Sequence, residues 1–178
     1  LAELGYSPFR DLVRGSLAHA GGLRIDHIIG MFRLWWILDG DDPSRGAYVY
    51  YDHQALIGII ALEAYRADAV VIGEDLGTVE DWVRDYLISR GILGTSVAWF
   101  EKQDGAPLPP TEWRAACMAS VTTHDLPPTA GFLAFEQVRI RAGLGLLTEP
   151  LEDEMDKARQ EQDSYLHFLK EHGYLSEL

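Results

Sequence analysis

Three short apolar segments of this chain each run into acidic residues, and this repeated pattern constrains the fold more than any other feature. The segments are 21–30 (GGLRIDHIIG), 70–77 (VVIGEDLG) and 119–125 (ASVTTHD). Each begins with the apolar or alternating residues typical of a strand and ends in charge. Helical patterns of about 10–15 residues separate the strands, as in parallel βαβ units. The sequence therefore predicts an α/β fold with a parallel sheet.

Four such strands are predicted, starting near residues 23, 69, 94 and 118. In a (β/α)8 barrel the catalytic residues lie at the carboxyl ends of several strands, where the acidic residues lie here. A whole barrel needs eight strands in roughly 250 residues, so a chain of 178 residues corresponds to about half of one. We predict a partial TIM (β/α)8 barrel with a core over residues 7–141, followed by a helical tail over residues 142–178.

Asp26, Glu74 and Asp125 are the acids of the three segments, and we expect them to converge on one rim. Three carboxylates without a matching metal cluster suggest chemistry at a sugar acetal, where one attacks the anomeric carbon and a protonated second assists the leaving oxygen. Arg24 shares a strand face with Asp26 and is expected to keep it ionised. Asp75 is expected in a supporting role.

Two alternative roles for these residues remain open. Each acid alone is typical of a residue that caps the following helix or pairs with a nearby base. Alternatively, His27, His124 and the three carboxylates bind a divalent metal. The sequence has no H-x-H or H-E-x-x-H pattern, and the adjacent His124 and Asp125 are expected on opposite faces of a strand, so we favour no metal. No G-x-G-x-x-G follows a strand, which argues against a dinucleotide.

Composition excludes several partners and locations. The 28 acidic and 15 basic residues give a net charge of −13, which argues against nucleic acid. No apolar run approaches the roughly 18 residues of a membrane helix, and we see no signal peptide. The single cysteine, Cys117, allows no internal disulfide and fits a reducing cytoplasm. Because the first residue is Leu1 rather than Met, we expect the start of the gene product to lie upstream.

Two aromatic pairs carry a further prediction. Trp35-Trp36 and Trp99-Phe100 each lie in an apolar run. Their rings are suited to stacking on sugars, but aromatic residues in such runs are more typical of a hydrophobic core. We therefore predict that both pairs are core residues.

In order along the chain, RIDH (24–27), GEDLG (73–77) and THDLPPT (123–129), with YDH at 51–53 between them, resemble the 4-α-glucanotransferases of glycoside hydrolase family 77. These enzymes are also called amylomaltases or disproportionating enzymes. The resemblance covers roughly residues 7–141. It implies that the chain supplies about strands 4 to 7 of the barrel with their helices, and that the first three strands and the last have no counterpart here.

The resemblance also implies a role for each candidate residue. Asp26 matches the nucleophile, Glu74 the general acid/base, and Asp125 the transition-state stabiliser that binds the sugar hydroxyls. Retaining enzymes hold the first two carboxyl groups about 5–5.5 Å apart, so the resemblance implies this separation for Asp26 and Glu74. The residues expected to orient the nucleophile or contact substrate are Arg24, His27 and His124.

The implied activity is transfer of α-1,4-glucan segments between maltooligosaccharides by a retaining double displacement, without metal or organic cofactor. The rivals are an amylase-like α-glucan hydrolase and a non-catalytic glucan-binding or interaction fragment. Four parallel strands leave two sheet edges open, so we expect the isolated chain to self-associate through them and to be inactive alone.

Overall fold

Residues 1–175 are described by a computed structural model, and they fall into two units. Unit 1 consists of Leu1–Thr95 and Ala115–Met118, and unit 2 of Ser96–Arg114 and the described part of Ala119–Leu178. The last three residues of the predicted helical tail, 176–178, lie outside the described residues.

Helices and strands alternate along much of the chain. In chain order they are α1 (Ser7–Leu17), β1 (Gly22–Ile25), β2 (Arg33–Trp36), β3 (Ala47–Tyr50), α2 (His53–Ala67), β4 (Val70–Gly73), α3 (Asp81–Ser89), β5 (Ile92–Val97), β6 (Lys102–Gln103), β7 (Ala106–Pro107), β8 (Cys117–Ser120), α4 (Thr129–Leu133), α5 (Glu136–Gly143) and α6 (Leu151–Glu171). Short 3-10 turns lie at Ala2–Leu4, Ile28–Met31, Pro43–Arg45 and Pro110–Glu112.

Four strands form one sheet in the order β1-β4-β5-β8. β1 and β4 run parallel, with Gly22 opposite Val70 and Ile25 opposite Gly73, and β4 and β5 are likewise parallel. The predicted α/β fold with a parallel sheet is confirmed. Because the carboxyl ends of parallel strands meet at one edge of the sheet, the residues after β1 and β4 emerge side by side.

The third acidic segment does not have the predicted conformation. β8 ends at Ser120, so Asp125 lies in a loop rather than at the end of a strand. The Thr122 hydroxyl donates to the Pro127 carbonyl at 2.9 Å, and the Leu126 amide donates to the Thr123 carbonyl at 3.2 Å. These local bonds turn the chain back on itself, which an extended strand does not allow.

The helix that follows this loop is interrupted. The apolar spacing is compatible with one helix over residues 129–141, yet α4 ends at Leu133 and α5 begins at Glu136. Phe135 between them has φ of +56°, in the left-handed region. A non-glycine residue in that region breaks the helical hydrogen-bond pattern, so the segment folds as two short helices.

The core of unit 1 is formed where α1, α2 and α3 supply apolar side chains to the sheet. Its buried residues include Val13, Leu17, Ile57, Ile60, Val71, Val83, Leu87 and Ile92. Ile28, just past β1, is fully buried beside Gly73 at the end of β4. A Cβ on Gly73 would lie 2.6 Å from the Ile28 Cδ1 atom, so only glycine lets Ile28 pack there.

The prediction that both aromatic pairs are core residues is wrong for three of the four rings. Trp35, Trp36 and Phe100 are exposed. Trp99 is half-buried and stacks on Phe132 in unit 2 with a centroid distance of 4.1 Å. Trp35 and Trp36 are exposed because β2 pairs with β3 in a two-stranded antiparallel hairpin separate from the main sheet.

Among residues 1–175, no helix combines the length and the apolar character that crossing a membrane requires.

An ion pair between a buried carboxylate and two partly exposed guanidinium groups joins α1 to α2. The Glu63 side chain is only 3% exposed and accepts two hydrogen bonds from Arg14, at 2.8 and 3.0 Å, and one from Arg66 at 2.8 Å. The Arg14 hydrogen bonds, aided by Arg66 and opposed by burial, lower the pKa of Glu63 from 4.5 to about 2. A buried carboxylate held by two guanidinium groups is stabilising while it is charged, and costly once either partner is lost.

We expect Glu63→Gln to lower the midpoint of thermal unfolding at pH 7. The folded pKa lies below the unfolded one, so the ion pair contributes its full stability above about pH 4.5 and loses it as the pH falls towards 2. The difference in midpoint between wild type and variant should therefore shrink over that range. Circular dichroism melts at pH 7, 4.5 and 2.5 measure it, with the exposed Glu3→Gln as control. A difference that does not depend on pH would contradict this account.

Candidate active site

Two candidate carboxylates follow directly on paired strands of unit 1. Ile25 and Gly73 are the last register partners of β1 and β4, and Asp26 and Glu74 are the next residues on the two strands. Neighbouring strands lie about 4.8 Å apart, so the backbones of the two acids emerge together at the carboxyl edge of the sheet. The position of each acid directly after its strand is therefore enough to bring Asp26 and Glu74 to the same edge of the sheet.

Arg24 and Asp26 interact as their spacing predicts. The Arg24 Nη1 atom donates to the Asp26 Oδ1 atom at 2.7 Å. Arg24 is half-buried while Asp26 is exposed, so the guanidinium is the better fixed of the two groups. A charge-assisted hydrogen bond from a fixed donor orients the carboxylate that accepts it.

Glu74 is held by backbone amides. The His27 amide donates to its Oε2 atom at 2.9 Å, and the Leu76 amide donates to its Oε1 atom at 2.6 Å. The Glu74 backbone also takes part, since its carbonyl accepts from the Ile28 amide at 2.9 Å and its amide donates to the Ile25 carbonyl at 2.8 Å. Glu74 therefore connects the loop after β1 to the loop after β4.

The backbone of His27 turns the chain at the end of β1. Its φ of +46° lies in the left-handed region, which costs a non-glycine residue about 1 kcal/mol or more. The turn aims the His27 amide at Glu74 and sends Ile28 and Ile29 into the core. The side chain of His27 remains exposed.

Asp75, the neighbour of Glu74, is buried and accepts the Thr95 amide at 2.9 Å. Arg84 on α3 lies 3.8 Å from its other carboxylate oxygen, and the Thr95 hydroxyl donates to the Gly73 carbonyl at 3.3 Å. These contacts tie the end of β4 to β5 and α3. Asp75 is therefore an interior carboxylate that fixes the strand carrying Glu74, which is the kind of supporting role expected of it.

In unit 2, His124 and Asp125 lie together in the loop after β8. The His124 Nε2 atom is 3.3 Å from the Asp125 Oδ2 atom, and both side chains are exposed. The expectation that they point to opposite faces is wrong, because the segment is a loop and not a strand. One argument against a metal site therefore fails, whereas the lack of a ligand-spacing motif stands.

Within unit 1, the structure brings four candidate residues together in one group, namely Arg24, Asp26, His27 and Glu74. Within unit 2, the side chain of His124 lies next to that of Asp125. In the unit 1 group, the exposed carboxylate of Asp26 is paired with the Arg24 guanidinium, and the half-buried carboxylate of Glu74 is bound by neutral backbone amides. Two carboxylates in unlike environments are what acid/base chemistry on a single substrate needs.

Sequence reasoning missed the partners that hold Glu74 and Asp75. The amides of His27 and Leu76 and the residue Thr95 carry no side-chain signal for this role. The one hint is local, because Gly77 has φ of +81° and ends a tight turn in which the Leu76 amide faces back to Glu74.

The sequence matches the family described as 4-alpha-glucanotransferase over residues 1–177. It is 59% identical over 182 residues to a 4-alpha-glucanotransferase of Mycobacterium tuberculosis, covering 99% of this chain and 25% of that protein. It is 35% identical over 176 residues to a 4-alpha-glucanotransferase of Haemophilus influenzae, covering 98% of this chain and 25% of that one. The chain thus spans about a quarter of the length of these relatives.

Two solved structures of amylomaltases also match this chain. The amylomaltase from Corynebacterium glutamicum matches with a TM-score of 0.92 and 47% identity, over 98% of this chain and 25% of that one. The amylomaltase from Streptococcus agalactiae, determined in complex with acarbose, matches with a TM-score of 0.62 and 21% identity, over 84% of this chain and 32% of that one. The second likeness supports the fold alone.

Proposed function

Since this chain belongs to the 4-alpha-glucanotransferases of glycoside hydrolase family 77, we propose that it carries the catalytic carboxylates of an enzyme that transfers α-1,4-glucan segments between maltooligosaccharides. The observation that carries this proposal is the placement of Asp26 and Glu74 directly after register partners on two parallel strands. The chain spans about a quarter of its relatives, so the activity is that of a parent enzyme of their length.

In the first step, a carboxylate oxygen of Asp26 attacks the anomeric carbon of the donor glucan. The bond to the leaving glycosidic oxygen breaks, and Glu74 gives that oxygen its proton. The products are a β-linked glycosyl-enzyme, which carries the glucan segment to be transferred, and a released glucan that is shorter by that segment. Arg24 holds one oxygen of the Asp26 carboxylate, so the group is oriented before the substrate arrives.

In the second step, the 4-hydroxyl of an acceptor glucan gives its proton to Glu74 and attacks the same carbon. The bond to Asp26 breaks, and two inversions restore the α configuration. Each Glu74 oxygen has two lone pairs, so the carboxyl group gains and loses a proton while it keeps the hydrogen bonds from the two amides. Water in place of the acceptor gives hydrolysis, the rival activity.

The family resemblance gives Asp125 and His124 the role of binding the sugar hydroxyls, and His27, whose side chain is exposed, is a further candidate for contact with substrate. The contact of His124 with Asp125 supports a shared role, since each orients the other. The scheme requires no metal and no organic cofactor.

The fold part of the proposal is that β1, β4, β5 and β8 are about strands 4 to 7 of a (β/α)8 barrel. Residues 7–141 then form the barrel core and residues 142–178 a helical tail, of which α6 is the main element. The likeness to the C. glutamicum amylomaltase supports this arrangement. A cytoplasmic location, favoured by the single cysteine, is part of the same proposal.

Asp26→Asn in the parent enzyme should reduce transfer by roughly 10⁴-fold or more, because an amide cannot form the covalent intermediate. The fold should survive, since Asp26 is exposed. Maltotriose is the substrate, and longer oligosaccharides among the products distinguish transfer from hydrolysis. Asp85→Asn, an exposed aspartate on α3, is the control. Transfer near the wild-type rate in the Asp26 variant would show that Asp26 is not the nucleophile.

Glu74→Gln should abolish most transfer from maltotriose but retain it with α-glucosyl fluoride, whose leaving group needs no proton. Glutamine also replaces one acceptor of a backbone amide by a donor, so the variant disturbs the two loops as well. Thermal unfolding measured alongside separates the two effects. Equal loss on both substrates would show that Glu74 is structural rather than the proton donor.

The isolated 178-residue chain should self-associate and show very little transferase activity. β1 and β8 are the outer strands of its sheet, and outer strands offer unpaired backbone groups to another copy. Remote contacts supply much of an enzyme's rate, and a quarter of the parent length holds few of them. Light scattering and maltotriose disproportionation test both points. A monomer with normal turnover would refute both.

A further inference from the structure

We infer that Arg33 is a positioning residue for Glu74, on which it acts through an ion pair with Glu80 in the loop between Glu74 and α3. This inference deepens the proposed function and rests on it, because it concerns the residue to which proton transfer is assigned. Arg33 is the first residue of β2, and Glu80 is the last residue before α3. Both belong to unit 1, so the contact requires no surface of this chain to be free in the parent enzyme.

The contact between Arg33 and Glu80 is close and partly shielded from water. The Arg33 Nη2 atom donates to the Glu80 Oε2 atom at 3.0 Å and lies 2.9 Å from the Oε1 atom. The Arg33 side chain is 10% exposed and that of Glu80 is 45% exposed. The hydrogen bond from Arg33 lowers the pKa of Glu80, so the pair is charged at neutral pH. Because one partner is shielded, solvent weakens this pair less than a pair in which both partners are exposed.

The hairpin of β2 and β3 holds the Arg33 guanidinium in place. The guanidinium lies 4.1 Å from the centroid of the Tyr48 ring, on the strand that pairs with β2, and the face of an aromatic ring attracts a cation. The base of the hairpin is anchored in the core, since Phe32 is 2% exposed and its carbonyl accepts the Tyr51 amide at 2.9 Å. Arg33 therefore presents a fixed positive charge to the loop before α3.

The loop that Arg33 contacts also supplies a hydrogen bond to Glu74. The Leu76 amide donates to the Glu74 Oε1 atom at 2.6 Å, and Gly77 directly after it has φ of +81°. The Val79 amide donates to the Gly77 carbonyl at 3.0 Å, so the turn is closed locally before it reaches α3. The ion pair fixes the far end of this turn to the hairpin. If the pair is lost, a shift of the turn moves the Leu76 amide and with it the carboxyl group of Glu74.

Proton transfer is the part of the proposed reaction that such a shift affects. A general acid must lie within hydrogen-bond reach of the leaving oxygen, and a misplacement of about 1 Å can cost about 100-fold in rate. Asp26 is oriented by Arg24 instead, so its attack on the anomeric carbon should depend little on Arg33. Loss of the ion pair should therefore slow the steps that need a proton and leave the attack by Asp26 nearly unchanged.

The test uses the parent enzyme with Glu80→Gln, with Arg33→Gln and with both substitutions. We expect each single substitution to lower kcat for transfer from maltotriose about tenfold and to leave KM within about twofold. The double variant should lose no more than the less active single variant, because the two residues act as one pair. Release of fluoride from α-glucosyl fluoride in the first turnover needs no proton from Glu74, so its rate should stay within about twofold. Asp41→Asn, which breaks an ion pair with Arg45 in the turn of the hairpin, is the control and should leave both rates within about twofold.

The inference is wrong if both single variants transfer from maltotriose within about twofold of the parent rate, if first-turnover fluoride release falls as much as transfer does, or if the two losses add in the double variant. If Arg33→Gln does not fold, Glu80→Gln decides alone, since Glu80 is the more exposed partner. Transfer by the unchanged parent enzyme and by Glu74→Gln tests the proposed function itself. If that function holds while the Arg33 and Glu80 variants behave like the parent, this inference alone fails.

Discussion

The parallel pairing of β1 with β4 is the constraint on which the candidate site depends. It places Asp26 and Glu74 side by side, because both follow the last paired residues of their strands. The hydrogen bonds of Glu74 to the His27 and Leu76 amides then join the two loops. A slip of one residue in this register would place the side chains of the two acids on opposite faces of the sheet.

The surrounding core supports this pairing by packing rather than by polar contacts alone. Ile28 fills the space that Gly73 leaves empty, so the turn after β1 is anchored in the interior just where it supplies an amide to Glu74. On the other side of β4, buried Asp75 binds the amide of Thr95. The strand end is therefore fixed from both sides, which is the kind of rigidity that the catalytic role proposed for Glu74 requires.

Much of this arrangement was predictable from the sequence. Alternation and apolar runs indicated β1 and β4, and the spacing of Arg24 and Asp26 indicated their ion pair. The loop at Asp125 was not predictable in this way, because the threonine hydroxyls that turn the chain there are as common in strands as in turns. The exposure of Trp35 and Trp36 was also missed, since hydrophobicity does not tell whether a strand joins the main sheet or a separate hairpin.

The two amides that hold Glu74 belong to the main chain, and this has a consequence for how positions 27 and 76 tolerate change. Every amino acid except proline carries the same N–H, so the chemical nature of the side chain at either position is free as far as Glu74 is concerned. Position 27 is further limited by its left-handed backbone, which admits glycine and asparagine more readily than branched residues. Glu74 is thus supported by the conformation of the backbone. The hydrogen bonds to Glu74 do not fix which side chains stand at positions 27 and 76, so those side chains are available for other contacts.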